Sequence, residues 1–269
     1  MVVRFVAVGE LLVDVIAEGA GHDAMIRVQP GGSAFNAAVT AAAAGADATV
    51  IGTVGDDPAG RMIVGELEAH GIRPNVTVDG GKTGVFLLGG GEIRVDRGAS
   101  HLLAVPDSIE ADAVLVSGYL PPETIADALA RARAPWVALD AARLEELPGG
   151  GNAVIANEEA ARRLTGMVPE DAARELGSLY RLACVTRGAL GAVAVLDGEL
   201  EAAAPADVAD ESPPGVGDVF AAVLLVELAR AAPLANALAE ACRWGALAAA
   251  SPTGWSMFGP PEARRKEST

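Results

Sequence analysis

The 269-residue chain is 51% apolar and carries a formal net charge of −16. Its length suits one large α/β domain, or a domain with a small appendage, and its acidity argues against nucleic acid or an anionic membrane as partner; an anionic nucleotide stays compatible if backbone amides and a metal ion receive it. Charges or glycines interrupt every apolar run before it reaches bilayer-spanning length, the first residues lack a small-residue cleavage site, and Cys184 and Cys242 stand in unrelated apolar segments as reduced core residues, so a soluble cytoplasmic protein is expected.

In chain order, the first strand is expected at 4–8 and ends in Gly9-Glu10-Leu11-Leu12-Val13-Asp14. Residues 13–28 show no helical period. An Ala-rich helix follows at 34–44, then a strand at 48–51 and a helix at 59–70, which Asp57 caps, Pro58 starts and Gly71 closes. From 75 to 100 the alternation breaks: β-like runs at 84–88 and 92–95 flank Gly89-Gly90-Gly91, the pattern of a hairpin. With residues 13–30 it forms either a small β-flap over the active end of the main sheet or a surface hairpin without a role. Further strands are expected at 113–116, 136–139, 153–155, 183–186 and 192–196, with helices at 123–133, 158–165 and 172–182. Such alternation means βαβ units and a doubly wound, mostly parallel sheet with helices on both faces. Ligands of these sheets bind beyond the carboxyl ends of the strands. The glycine-rich turns fall there, at Gly9, Gly31-Gly32, Gly55, Gly118, Gly188, Gly215 and Gly217.

Asp14, just past the first strand, is either an acceptor for polyol hydroxyls or a solvated loop acid. In Pro30-Gly31-Gly32-Ser33-Ala34-Phe35-Asn36 the glycines allow close approach, and Asn36 sits in the first helical turn with donors and an acceptor to offer. Thr186-Arg187-Gly188-Ala189-Leu190-Gly191 follows a buried strand; it either passes under a nucleotide's phosphates or ribose, or is an ordinary left-handed turn into a hairpin. The most informative stretch is ESPPGVGDVF, Glu211 to Phe220. Gly215-Val216-Gly217-Asp218 ends a Pro-stiffened loop and opens VFAAVLLVELARA, a buried helix. The N–H groups around Val216, Gly217 and Asp218 point unpaired from the helix start and suit an anion. A carboxylate there repels that anion, so Asp218 suggests a base that takes the proton of an acceptor hydroxyl during phosphoryl transfer. From this motif alone, a plain glycine-containing helix start with Asp in its first turn reads equally well.

The order of the motifs is more specific than any one of them. GELLVD, GGSAFNAA, GDDPAG, TRGALG and GVGDVF, with Thr83-Gly84, Arg97-Gly98-Ala99 and Asn157-Glu158-Glu159 between them, resemble the ribokinase-like (PfkB) carbohydrate kinases over about residues 3–255. The resemblance implies a single ribokinase-like α/β domain over 1–269, a β-lid from about 13–30 and 75–100 above the sugar, and transfer of the ATP γ-phosphate to a sugar hydroxyl. It makes Asp218 the catalytic base and the amides of Gly215, Val216 and Gly217 the anion hole. Asp14, Gly31, Gly32 and Asn36 would hold the sugar, with Arg97 where some members contact the sugar or its carboxylate. Asn157, Thr186, Gly188, Gly191 and Gly254 would line the nucleotide site. ATP and Mg2+ are the implied cofactors. Relatives often dimerise through the lid, and its trimmed length here leaves a homodimer open.

Three places depart from the family's pattern. Ser212-Pro213-Pro214 replaces the acid and hydroxyl residues that usually precede the glycine motif, which argues against a monovalent-cation site and removes N–H donors. Ala160 stands where the Asn-x-x-Glu element carries a magnesium-organising glutamate. Glu159, one residue earlier, points about 100° away on a helix, so the metal shell must differ and no metal ligand is assigned. Cys242 replaces a polar residue that relatives often place near the adenine, to which 246–254 would be close. The expected reaction is phosphoryl transfer to fructose, 2-keto-3-deoxygluconate or a ribose-like sugar; the alternative is a catalytically degenerate sugar- or nucleotide-binding relative. A dinucleotide-dependent oxidoreductase is disfavoured, because Gly9-Glu10-Leu11 rather than G-x-G-x-x-G follows the first strand.

Overall fold

A computed structural model of the protein describes residues 2–19, 21–203 and 214–251. In chain order its strands and α-helices are β1 (Arg4–Val8), β2 (Leu12–Glu18), β3 (Met25–Gly31), α1 (Ser33–Ala43), β4 (Asp47–Gly55), α2 (Pro58–Ala69), β5 (Arg73–Asp79), β6 (Thr83–Gly89), β7 (Glu92–Gly98), β8 (Ile109–Glu110), β9 (Ala113–Ser117), α3 (Pro122–Arg131), β10 (Ala132–Arg133), β11 (Trp136–Asp140), β12 (Ala153–Asn157), α4 (Glu158–Thr165), α5 (Pro169–Gly177), β13 (Leu182–Thr186), β14 (Ala192–Leu196), β15 (Glu199–Ala203), α6 (Val216–Ala229) and α7 (Leu234–Ala249).

Nine strands form the large sheet, in the order β15-β14-β13-β12-β11-β9-β1-β4-β5. β1 pairs in parallel with both β4 and β9. The chain runs outward from β1 to β4 and β5, then restarts on the other side of β1 at β9 and continues to β13. This reversal leaves a crevice beyond the carboxyl ends of β1 and β9, the ligand position of doubly wound sheets. β14 and β15 finish the far edge antiparallel. Along the strands, alternate side chains serve opposite layers: Phe5, Ala7 and Val50 pack in the same core as α1, α2, α6 and α7, whereas Val6, Val8 and Ile51 pack with α3. α4 and α5 cover the neighbouring part of that second face. The α6 run from Val219 to Val226 is buried at every position. A helix apolar all round needs enclosure, and α1, α7 and the sheet supply it.

β3-β2-β6-β7 form a separate sheet, the lid. Its β6–β7 hairpin turns on Gly90 and Gly91 at φ 60° and 78°, the two left-handed residues that such a tight turn demands. The registers place Leu12, Asp14, Phe86, Leu88 and Val95 on the face toward the crevice, and Val15, Val28 and Val85 on the other. The base of the lid is tied to α2. Asp57 Oδ1 accepts from Gly60 N at 2.8 Å as the helix cap, and the same carboxylate accepts from Thr83 N (2.8 Å) and Thr83 Oγ1 (2.7 Å).

Three expectations differ from the structure, the first being the helix expected at 123–133, which ends at Arg131 because Ala132 and Arg133 pair as β10 with β8. Residues 75–79, read with the lid, extend the large sheet instead: β5 pairs with β4 over seven residues, and the lid strand begins at Thr83. Val76 packs against the main core, which draws this strand to the sheet edge. The helix expected at 172–182 runs Pro169–Gly177. Proline is suited to the first helical position, and the chain turns at Ser178 and Leu179 so that Leu182 can open β13. Among the described residues no helix is long and apolar enough to cross a membrane.

Candidate active site

The carboxyl ends of the central strands, the starts of α1 and α6, and the inner face of the lid enclose a cleft of about 1400 Å³. That volume exceeds the usual small-molecule pocket and leaves room for two ligands side by side.

Asp218 stands in the first turn of α6. Gly215 caps this helix at φ 91°, and the bond from Val219 N to Gly215 O (3.1 Å) closes the first turn. The N–H groups of Val216, Gly217 and Asp218 therefore have no partner within the helix. A β-carbon on Gly215 would lie 2.8 Å from Asn36 Nδ2, so only glycine fits both the backbone and the neighbour. Asn36, on α1, donates from Nδ2 to Asp218 Oδ2 at 2.8 Å. Its Oδ1 is buried without a hydrogen bond. Burial drives the Asp218 carboxyl well above its ordinary range; Asp140, Asp14 and Glu10 add to the rise and the Asn36 bond opposes it. The result is a strong proton acceptor beside a row of free amides.

The sugar-side residues expected from the sequence come together here. Asp14 lines the cleft from β2, with burial raising its carboxyl to about 7. A β-carbon on Gly31 would sit 2.2 Å from Asp14 Oδ2, and one on Gly32 would sit 2.4 Å from the Glu10 carbonyl oxygen. The double glycine is thus what lets β3 pass beside these acids. Arg97 also lines the cleft, but it is engaged: Nη1 lies 3.0 Å from Glu10 Oε1 and donates to the Tyr119 carbonyl.

Glu10, Tyr119, Asp140 and Arg143 are among the cleft residues that no sequence motif marks as site candidates. Glu10 is 5% exposed, and burial raises its carboxyl to about 7 against the opposing pull of Arg97 and Arg143. Burial likewise raises Asp140 to about 6, partly offset by the Ala142 N–H. The guanidinium carbons of Arg97 and Arg143 lie 6.0 and 5.9 Å from the Tyr119 ring centroid. The signal for all four is position, since each ends or closely follows β1, β9 or β11 at its carboxyl end.

At the other end, Asn157, Glu159, Thr186 and Pro214 line the cleft, with Ala249 at the end of α7 and Ala250 and Ser251 after it. Asn157 Oδ1 caps α4 by accepting from Ala160 N at 2.8 Å. Gly188 and Gly191 shape the turn from β13 into antiparallel β14, at φ 54° and 82°, and are not among the cleft-lining residues. Gly254, Ser212 and Pro213 lie outside the described residues. Cys242 is buried in α7 against the main core.

Residues 4–255 match the pfkB family of carbohydrate kinases. The bifunctional protein HldE of Caulobacter vibrioides is 31% identical over 239 residues, 77% of this chain; the chain spans about half (49%) of that relative's length. Two solved structures share the fold. The ribokinase of Arabidopsis thaliana, complexed with ribose and ATP, superposes with a TM-score of 0.79 at 20% identity, covering 99% of this chain and 98% of its own. A fructokinase double mutant of Vibrio cholerae O395, bound to fructose, ADP and potassium, superposes with a TM-score of 0.82 at 22% identity, covering 98% and 97%. Because the family match runs through both the lid and the helix that carries Asp218, this chain belongs to the pfkB carbohydrate kinases.

Proposed function

We propose that the protein is an ATP-dependent kinase that transfers the γ-phosphate to a hydroxyl of a sugar or sugar acid, with Asp218 as base. The observation that carries this reading is the partly buried Asp218 carboxylate at the amide-lined start of α6, held by Asn36 and facing the cleft. Asn36 fixes one carboxylate oxygen, and the other takes the proton of the acceptor hydroxyl. The freed oxygen attacks the γ-phosphorus in line as the bond to the β-phosphate oxygen breaks. The amides of Val216 and Gly217, with Gly215 shaping their approach, stabilise charge on the moving phosphoryl group, a preorganised contact worth about 3–4 kcal/mol per donor. Asp14 and the Asn36 Oδ1 receive hydroxyls of the acceptor. The A. thaliana and V. cholerae proteins bind a sugar together with ATP or ADP, which supports two ligands in one cleft.

The nucleotide end fits Mg2+ brought by ATP. Mg2+ keeps several waters and takes one or two carboxylates besides phosphate oxygens. Glu159 is the acid lining that end, with Arg163 Nη1 3.5 Å from its Oε1, whereas Ala160 is fully buried and offers no ligand. Bound there, the metal would neutralise charge on the β- and γ-phosphates. Among the described residues no cluster of three metal-ligating side chains is present, in keeping with a metal held mainly by the nucleotide. Dependence on ATP suits the cytoplasm. The outer lid face, where Ile26 and Val28 are each 55% exposed, suits a homodimer through the lid, which light scattering would read as twice the chain mass.

A panel of sugars, sugar acids and nucleosides scored for ADP release, with and without Mg2+ and K+, tests the reading. Turnover of one class at about 1–100 per second is expected. Binding of sugar and ATP without turnover would instead support the degenerate relative, for which the buried Ala160 is the motive.

A further inference from the structure

The acceptor end of the cleft contains an ion pair whose placement has a consequence for substrate choice. Glu10 is 95% buried, lines the cleft, and sets Oε1 3.0 Å from Arg97 Nη1. That oxygen is fully buried and has no well-formed hydrogen bond within the protein, so its pairing with Arg97 is electrostatic. Arg97 Nη1 also donates to the Tyr119 carbonyl, which holds the guanidinium against the wall. An arginine whose charge is cancelled by a buried carboxylate attracts a second anion weakly, because the incoming charge must displace the first or share the cation with it.

The surroundings point the same way. Tyr119 feels the negative charges of Asp218, Asp140 and Glu10, against Arg143 and the stacked Arg97. Asp14 adds a further carboxylate to the same space. An anionic acceptor would meet more carboxyl groups than guanidiniums in the cleft, and each carboxyl that is ionised repels it. A neutral polyol meets acceptors for its hydroxyls.

We propose that Glu10 is a specificity-determining residue: by pairing with Arg97 it withdraws the arginine from anion binding, so the site takes a neutral sugar and rejects a sugar acid. This rests on the kinase reading above and narrows its substrate class.

The test uses the full-length protein, D-fructose and D-ribose as neutral acceptors, and 2-keto-3-deoxygluconate and D-gluconate as acids. Both kcat/KM and calorimetric Kd are measured for wild type, Glu10→Gln and Glu10→Gln/Arg97→Gln. Wild type is expected to favour the best neutral sugar over the best acid by at least a hundredfold. Glu10→Gln is expected to narrow that ratio at least tenfold, mainly through a lower KM or Kd for the acid, and the double variant to restore it. Preference of wild type for an acid, or a ratio unmoved by Glu10→Gln, overturns the proposal. If nothing is phosphorylated but the Kd ratio shifts as stated, the kinase reading falls and the charge argument stands. If neither class binds, both fall.

Discussion

Replacing Gly215 and Gly217 by alanine, one at a time, separates the two uses of glycine at the start of α6. Gly215 has φ +91°, and a β-carbon there would meet Asn36 Nδ2 at 2.8 Å. A non-glycine residue in the left-handed region costs about 1–2 kcal/mol. Asn36 is 6% exposed and has little room to retreat, so its bond to the Asp218 carboxylate breaks as well, a loss of about 1.5–3 kcal/mol for a charged partner. Gly215→Ala should therefore lower stability by about 2.5–5 kcal/mol and turnover by about 10²–10³ as the amides and base shift together. At Gly217 a β-carbon meets nothing within 4 Å, and alanine in a helix gains up to about 1 kcal/mol over glycine. Gly217→Ala should thus unfold no earlier than wild type, yet turn over at least about tenfold more slowly, because its methyl fills the space the phosphoryl group must enter. Thermal unfolding and a coupled ADP-release assay read both quantities. Gly217→Ala at wild-type turnover, or Gly215→Ala unfolding at the wild-type temperature, would refute this account of the helix start.

Two further outcomes follow from the buried acids. The Asn36 bond opposes the rise of the Asp218 carboxyl, so Asn36→Ala should raise it further and move the acidic limb of kcat to higher pH; a limb that stays in place would deny Asn36 its positioning role. Asp14 and Asp140 are raised in the folded protein to about 7 and about 6 from ordinary values near 4. Between pH 4 and 7 the folded state therefore holds protons that the unfolded chain has lost, and stability falls as pH rises through that window. Asp140→Asn should flatten this fall and stabilise the protein at pH 8 by up to about 3 kcal/mol. An unchanged pH profile of the melting temperature would show that Asp140 ionises freely.

Much of the architecture was legible in the sequence because parallel strands buried on both faces read as short apolar runs between amphipathic helices. The boundaries of β1 and α4, the cap at Asp57-Pro58 and the hairpin turn at Gly90-Gly91 follow from local rules. Partnership was not legible. β5 has an edge strand's mixed pattern, and only Val76 packing on the core places it in the large sheet. The α5 boundary failed because Leu179 in the turn and Leu182, the first residue of β13, continue the apolar spacing of the helix. In the site, Asp218 and Asn36 stood out by motif, yet their direct bond spans 182 residues and no spacing announces it. Glu10 sits inside a motif whose visible acid is Asp14, and its pairing with Arg97 depends on how the lid folds over β1. Asp140, Tyr119 and Arg143 share no motif; three-dimensional convergence at the strand ends unites them.

The most direct measurement is single-turnover phosphoryl transfer by Asp218→Asn, with sugar binding followed in parallel by calorimetry. The amide preserves shape and an acceptor for Asn36 but cannot take the proton. Transfer should fall by about 10²–10⁴, the usual worth of a general base, while sugar affinity stays within a few-fold and the melting temperature holds or rises once the buried charge is gone. Transfer within tenfold of wild type would contradict Asp218 as the base and with it the mechanism proposed for this cleft.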